Sequence, residues 1–382
     1  MGWRMRLKKC SGRKAVFTKV QIMDHYPSHP HHRNYGCRLQ EFVLNDFRAI
    51  SLENEKLRVT ILVDKGTDVY EFLFKPNDVD FLWKSRLGLK SMKNYQPMMP
   101  QVGGMFLDFY EGGWQELFPW GGHASAYRGV DTGLHGEVAL EPWSYCIDVD
   151  TPEEVRITCS IRTRRSPFLL KKTFALYRHQ ASLRINEVVR NESREDLPIV
   201  WGHHPAYGWP FLDDSCVIDL PPCKVKTASV LDSDSRLEEN FDGDWPLVPL
   251  RAGGEADLSK IPGPAIRSQD LTYLYGFEEG WYALRNRSQC IGIGFAWDAK
   301  VFPWIWYWQL FRGGPDYPFW GAEYVAAIEP VTSMAVSFSD AIANGTAKLV
   351  PGGGSIESEM WVWAFEGEHA VTRVSGQGVE FK

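Results

Sequence analysis

The chain has no apolar run long enough to span a bilayer as a helix. Its most apolar stretch, Val301–Phe311, is broken by Pro303 and Gln309, whereas a membrane helix needs about 20 such residues. It has no CxxC pair, and its seven cysteines are scattered and odd in number. That argues against a disulfide framework or a zinc knuckle and fits reduced thiols in a cytoplasmic protein. The sequons at Asn191, Asn286 and Asn344 carry no meaning without a secretory signal. No heptad, collagen or longer repeat is present. No strong charge excess is present either: the net charge of −6 over 382 residues argues against a nucleic-acid partner. Helical periodicity with caps is nearly missing, and only Val230–Leu237 reads as a single helical turn.

Acid is also missing from the first 22 residues, which hold Arg4, Arg6, Lys8, Lys9, Arg13, Lys14 and Lys19. The leader lacks the apolar core of a secretory signal. The preferred reading is an extended start, with Met23 the true one; a mitochondrial-type presequence is the alternative. The tract His25-Tyr26-Pro27-Ser28-His29-Pro30-His31-His32 can attract metals adventitiously. With two prolines and no thiol or carboxylate at matched spacing, it is read as a solvated terminus. Residues 1–36 are taken as an N-terminal extension and 37–382 as one domain, because no linker divides the remainder.

What is present is period-two alternation. Leu57, Val59, Ile61 and Val63 alternate with Arg58 and Thr60; Val155, Ile157, Cys159 and Ile161 alternate with Arg156, Thr158, Ser160 and Arg162; Leu183 and Ile185 flank Arg184. Such windows mark half-buried antiparallel strands. Aromatic or β-branched runs at 174–177, 282–284, 291–296 and 360–365 add more. Turn material separates them, including Lys75–Asp78, Asp150–Pro152, Pro221-Pro222, Gly313–Pro315 and Pro351–Gly354. The pattern predicts an all-β fold, a large antiparallel sandwich or barrel, with the polar, acidic residues 233–260 as an excursion over one rim. Sixteen tryptophans either fill a wide core or form a platform for the C–H faces of sugars. Loop-borne tryptophans fit the second use better than strand-borne ones.

Three segments invite a chemical reading. Gly112-Gly113-Trp114-Gln115-Glu116 through Gly121-Gly122, followed by Leu134-His135-Gly136, sets polar and aromatic residues among glycines, as where backbone approaches a ligand. Trp201-Gly202-His203-His204-Pro205-Ala206-Tyr207 pairs two histidines before a proline. Ala326-Ala327-Ile328-Glu329-Pro330 ends an apolar strand on a carboxylate. Each also has an ordinary structural reading. Together they supply an acid, a base and a polar pocket without a nucleophile or metal signature.

From about residue 40 onward the chain resembles the galactose mutarotase-like superfamily, the aldose 1-epimerases and their relatives. The strand Leu57–Val63 with Lys65-Gly66-Thr67-Asp68 resembles its opening hairpin. Asn191-Glu192-Ser193 leading to Trp201–Tyr207 resembles its asparagine turn and His-Pro-aromatic strand. Ile328-Glu329-Pro330 resembles its late strand with the catalytic glutamate, and Leu349-Val350-Pro351-Gly352 its final turn. The resemblance implies a β-supersandwich that interconverts the α and β anomers of an aldose. It implies His204 as acid, Glu329 as base and His135 as a second sugar-contacting histidine. His203 is the rival of His204, which directly precedes the proline as the motif requires. Trp114 and Gln115 are expected to line the pocket and Asp270 to hold sugar hydroxyls; Arg128 is read as a surface residue. Relatives acting on hexose 6-phosphates carry an arginine after their histidine–glycine string. His135-Gly136-Glu137-Val138-Ala139 has none, which speaks against a phosphorylated substrate.

The chemistry accounts for these residue types. An anomeric centre inverts only if the ring opens, so one group takes the C1 hydroxyl proton while another donates to the ring oxygen. Carboxylate and imidazole suit this near neutrality. The expectation is an ionised Glu329 and a His204 protonated part of the time, standing on different sides of the sugar. No metal or cofactor is required. The expected partner is a small-molecule sugar, with no nucleic acid and no membrane, and the protein is expected as a monomer or homodimer. A carbohydrate-binding protein without catalysis is the alternative, followed by a polysaccharide lyase or glycoside hydrolase. A hydrolase normally wants two facing carboxylates, and only Glu329 is nominated.

Overall fold

The computed structural model describes residues 33–93 and 104–382. The basic leader, the His/Pro-rich tract and all of the 1–36 extension before residue 33 lie outside the described residues. The alternating segments form strands that build two large antiparallel sheets. The first runs, in spatial order, through Arg38–Leu44, Phe47–Glu53, Leu57–Leu62, Asp68–Phe74, Trp114–Leu117, Gly202–Tyr207, Tyr324–Val331, Trp304–Phe311, Ser268–Tyr275, Lys224–Thr227 and Asp242–Asp244. The second runs through Cys216–Asp219, Gly280–Asn286, Ile291–Trp297, Ser355–Glu366, Ser182–Asn191, Phe168–Tyr177, Glu154–Arg162 and Ser144–Asp150. Among the described residues the α-helices are two short turns, Gly104–Asp108 and Phe338–Ala343, beside a 3-10 turn at Val138–Leu140. Among the described residues no helix is long and apolar enough to cross a membrane.

One side of every alternating strand faces the interior between the sheets. Leu57, Val59 and Ile61 of the first sheet and Val155, Ile157 and Cys159 of the second are fully buried in one contiguous cluster, while Arg156, Thr158 and Ser160 remain partly open. Each such aliphatic side chain contributes ~1.5–3 kcal/mol through removal from water. The large sheet is also covered on its other face. Trp120, Trp306, Tyr273 and Phe338 form a second cluster there, and Trp83, Phe106, Tyr110, Ala206 and Ala327 a third. Loops around 104–143 and 314–343 lie over this face, and the space between sheet and loops holds the site.

Val230–Leu237 is not helical. It is an irregular turn closed by Ser235 N–H to Asp232 O, and the buried Asp270 carboxylate takes both the Ser235 hydroxyl and the Arg236 N–H. These bonds hold the backbone in a form that competes with a helical turn.

Candidate active site

The site follows from strand register. Gly202 pairs with Val331 and Ala206 with Ala327, so His204 stands opposite Glu329 on the neighbouring strand. His204 also pairs with Gln115, Glu329 with Trp306, and Trp306 with Tyr273. Residues opposite one another in a ladder share a face, so Gln115, His204, Glu329, Trp306 and Tyr273 form one row across the sheet. The next row holds Ala206 and Ala327 beside Trp308. Small residues beside indoles leave a hollow, and a cavity of about 400 Å³ opens here. His204, Glu329, Trp306 and Trp308 form its sheet wall, with Phe106, Tyr110, His135 and the Pro315–Phe319 loop facing them. Asp232, Asp234, His123 and Gln269 also line it.

Glu329 is 2% exposed, and its Oε1 lies 3.4 Å from His204 Nε2, while Oε2 has no partner. The Tyr110 hydroxyl is 3.2 Å from His204 Nδ1 and fixes the ring from the other side. His135 sits in a left-handed turn (φ 61°) beside Gly136, where an added Cβ would meet Phe118 O at 2.2 Å. This turn holds its ring 5.5 Å from that of His204 and 4.8 Å from that of Phe106, with Nδ1 buried and unpartnered. Burial pushes the Glu329 carboxyl well above the usual carboxylate range. It pushes the His204 imidazole down to about 4. His135 is lowered too, first by burial and then by the neighbouring histidines.

Two expectations change in consequence. His204 and Glu329, expected on different sides of a sugar, are cross-strand neighbours on one wall of the cavity. Nor does burial favour an ionised carboxylate beside an imidazolium: it disfavours both charges and so favours the neutral forms of the pair.

The structure brings His135, His204 and Glu329 together and does not bring the other four nominated residues to the cavity wall. Trp114 lies in the inter-sheet core against Phe295 and donates to His203 Nδ1 at 3.3 Å. His203 points the opposite way from His204 and meets Glu187 Oε2 at 2.9 Å; strand alternation sends successive side chains to opposite faces. Gln115 lies in the same row as His204 but is fully buried, donating to Gly112 O at 2.6 Å beside the Lys65–Asp68–Glu111 ion cluster. Asp270 is fully buried and tied to Ser235 and Arg236, while its neighbours Gln269 and Leu271 face the cavity. Arg128 is exposed at a hairpin turn. Tyr110, Phe106, Asp232, Asp234 and Gln269 were missed. For Tyr110 and Phe106 a signal existed, an aromatic pair four apart just before Gly112-Gly113. Trp306 and Trp308, read from the sequence among tryptophans clustered at turns, lie instead on one face of the strand Trp304–Phe311 and line the cavity.

No curated protein sequence matches the chain. Solved structures do, at low identity. A protein of Klebsiella pneumoniae provisionally named an aldose 1-epimerase is 13% identical, with a TM-score of 0.67 over 87% of this chain and 88% of its own. A galactose mutarotase-like protein of Clostridium acetobutylicum is 14% identical, with a TM-score of 0.58 over 87% and 99%. A galactose mutarotase related enzyme of Lactobacillus acidophilus is 14% identical, with a TM-score of 0.55 over 86% and 98%. These likenesses show the fold, which is the galactose mutarotase-like β-supersandwich. A family model for a domain of unknown function, DUF4432, matches residues 45–362. The chain therefore belongs to the DUF4432 family, carried on a galactose mutarotase-like fold.

Proposed function

We propose that this chain is an aldose 1-epimerase-like isomerase, which opens and recloses the ring of a bound sugar with His204 and Glu329 as its acid–base pair. The observation that carries the reading is the cross-strand contact of those two groups, 3.4 Å apart, at the indole-lined wall of a cavity, with the second Glu329 oxygen unpartnered. A buried carboxylate oxygen without a donor costs stability unless a ligand supplies one, and an anomeric hydroxyl is such a donor.

The proton inventory closes over one turnover. Suppose the closed sugar binds with one proton shared by the pair, held on His204. Glu329 takes the C1 hydroxyl proton as His204 gives its own to the ring oxygen, and the C1–ring-oxygen bond breaks to an aldehyde. The pair is then neutral, the state that burial favours. After rotation about C1–C2, His204 recovers the proton of the former ring hydroxyl as that oxygen attacks C1, and Glu329 reprotonates the new anomeric oxygen. Atoms and charges are restored with the other anomer in place. Tyr110 orients the imidazole, His135 offers an unpartnered nitrogen to a sugar hydroxyl, and Trp306 and Trp308 present ring faces to the sugar's C–H groups.

Each acid–base group contributes on the order of 10²–10⁴-fold. Polarimetry on freshly dissolved α-aldoses tests the reading. The parent protein is expected to speed the approach to equilibrium, and Glu329→Gln and His204→Asn each to lose that acceleration. Sugar binding without acceleration would favour a binding protein, and release of reducing ends from a polymer a hydrolase or lyase.

A further inference from the structure

We propose that the cavity selects sugars by charge, accepting uncharged and amine-bearing aldoses and turning away sugar acids and sugar phosphates, with Asp232 and Asp234 as the selecting pair. This rests on the reading of the cavity as an aldose site and adds the substrate class.

Among the described residues, four carboxyl groups line the cavity, those of Asp232, Asp234, Asp316 and Glu329, and no lysine or arginine does. Recognition of carboxylates and phosphates normally falls to Arg or Lys. Arg236, two residues beyond Asp234, is committed elsewhere: it donates to Asp270 at 2.8 Å and to Gln309 at 3.0 Å. Of the three histidines in the lining, His135 and His204 do not replace it, because burial drives both toward their neutral forms; His123 is exposed to solvent. An anionic group entering beside the buried pair would lose water and meet no lysine or arginine, a costly placement.

The aspartates are held in place. Gln269 Nε2 donates to Asp232 Oδ2 at 3.0 Å, and the Gly314 N–H donates to Asp234 Oδ2 at 2.7 Å. Each bond engages one oxygen and leaves the other for a ligand. Burial raises the Asp232 carboxyl, and neighbouring Asp234 raises it further, against the bond from Gln269 and the nearby His123. The unpartnered Oε2 of Glu329 and Nδ1 of His135 point independently to a polar ligand rich in hydroxyls or amines. Such a ligand satisfies acceptors of both kinds, and its ammonium group, when present, would face the aspartates.

The test is equilibrium binding by titration calorimetry on the full chain near neutrality, with glucose, galactose, glucosamine, glucuronate and glucose 6-phosphate. The expected order is glucosamine tightest, the neutral hexoses next, and the two anions on the order of tenfold or more weaker than the neutral sugars, the size of a partly solvated charge interaction. The spread should shrink at high salt, since exposed charges are screened, and in the Asp232→Asn/Asp234→Asn double variant. A steric preference would respond to neither. Glucuronate or glucose 6-phosphate binding as tightly as glucose overturns the proposal and leaves the aldose site standing, as does a charge order unchanged in the double variant. Failure of every aldose to bind overturns both.

Discussion

Glu329 and His204 occupy positions that neither would choose on solvation grounds. A carboxyl group 2% exposed with one oxygen unpartnered and an imidazole held down to about 4 each sacrifice stability for position, which fits the proposed exchange of a proton between them. The shared proton sets the pH dependence. Below about 4 His204 takes a second proton, and at high pH the raised Glu329 carboxyl gives up the only one. Mutarotation followed against pH should therefore give a bell with a broad plateau, its acid limb near 4 and its alkaline limb well above ordinary carboxylate titration; a limb at the ordinary imidazole value would contradict this. Stability moves the other way from activity. The folded carboxyl titrates above the unfolded one, so its penalty is nil at low pH and grows as pH rises past about 4.3. Glu329→Gln is expected to raise Tm near neutrality and to change it little in acid, while abolishing catalysis; scanning calorimetry at two pH values checks it. The nomination of these two residues was legible because each precedes a proline in a distinctive string. Their protonation was not legible, since burial on both sides depends on loops far away in sequence, among them the one carrying Tyr110.

At the scale of strands, alternation decides what each neighbour does. His203 and His204 are adjacent in sequence and serve opposite compartments. His203 joins the two sheets: its ring meets Glu187, which with Glu116 surrounds the buried Lys172 ammonium. Trp201 closes the network by donating to Glu116 at 2.9 Å. Removing a buried hydrogen bond to a charged group costs ~1.5–3 kcal/mol. His203→Ala is thus expected to lower denaturant stability by about that amount while leaving the His204–Glu329 contact and activity in place, whereas His204→Asn should remove activity. Chemical denaturation beside polarimetry separates the two. Period-two reading also explains a misjudgement. Gly112 and Gly113 read as backbone approaching a ligand, but the close partners are other stretches of this chain's backbone: an added Cβ would meet Trp83 O at 2.2 Å and Val69 O at 2.7 Å. Glycine marks close approach without saying of what, and Trp114 and Gln115 were assigned to the pocket on that ambiguity. Asp270 failed for a related reason, since its flanks Gln269 and Leu271 are the residues that face the cavity.

Across the whole molecule, the sandwich was legible because alternation and turn chemistry are local signals repeated along the chain. The second layer over the large sheet was not, because it is built of irregular loops whose contacts join distant segments. The buried ion cluster shows this best. Lys65 is 1% exposed and lies 2.7 Å from both Asp68 and Glu111, and Asp68 is pushed up to about 8, chiefly by burial. Glu111 adjoins Tyr110, so the cluster supports the segment that orients His204. Lys65→Met would leave two buried carboxyl groups without their cation, and loss of one partner from such a site costs ~3–5 kcal/mol. Urea unfolding should show a loss of that order; near-parent stability would mean the cluster is not the anchor described. The central claim, that His204 and Glu329 open and reclose a sugar ring, is tested most directly at equilibrium. Exchange NMR on the anomeric protons of an aldose reads interconversion of the α and β forms without any net reaction. The account predicts exchange cross-peaks with the parent protein and their loss in Glu329→Gln and His204→Asn at unchanged fold. Undiminished exchange in either variant, or none with the parent on any aldose it binds, would contradict it.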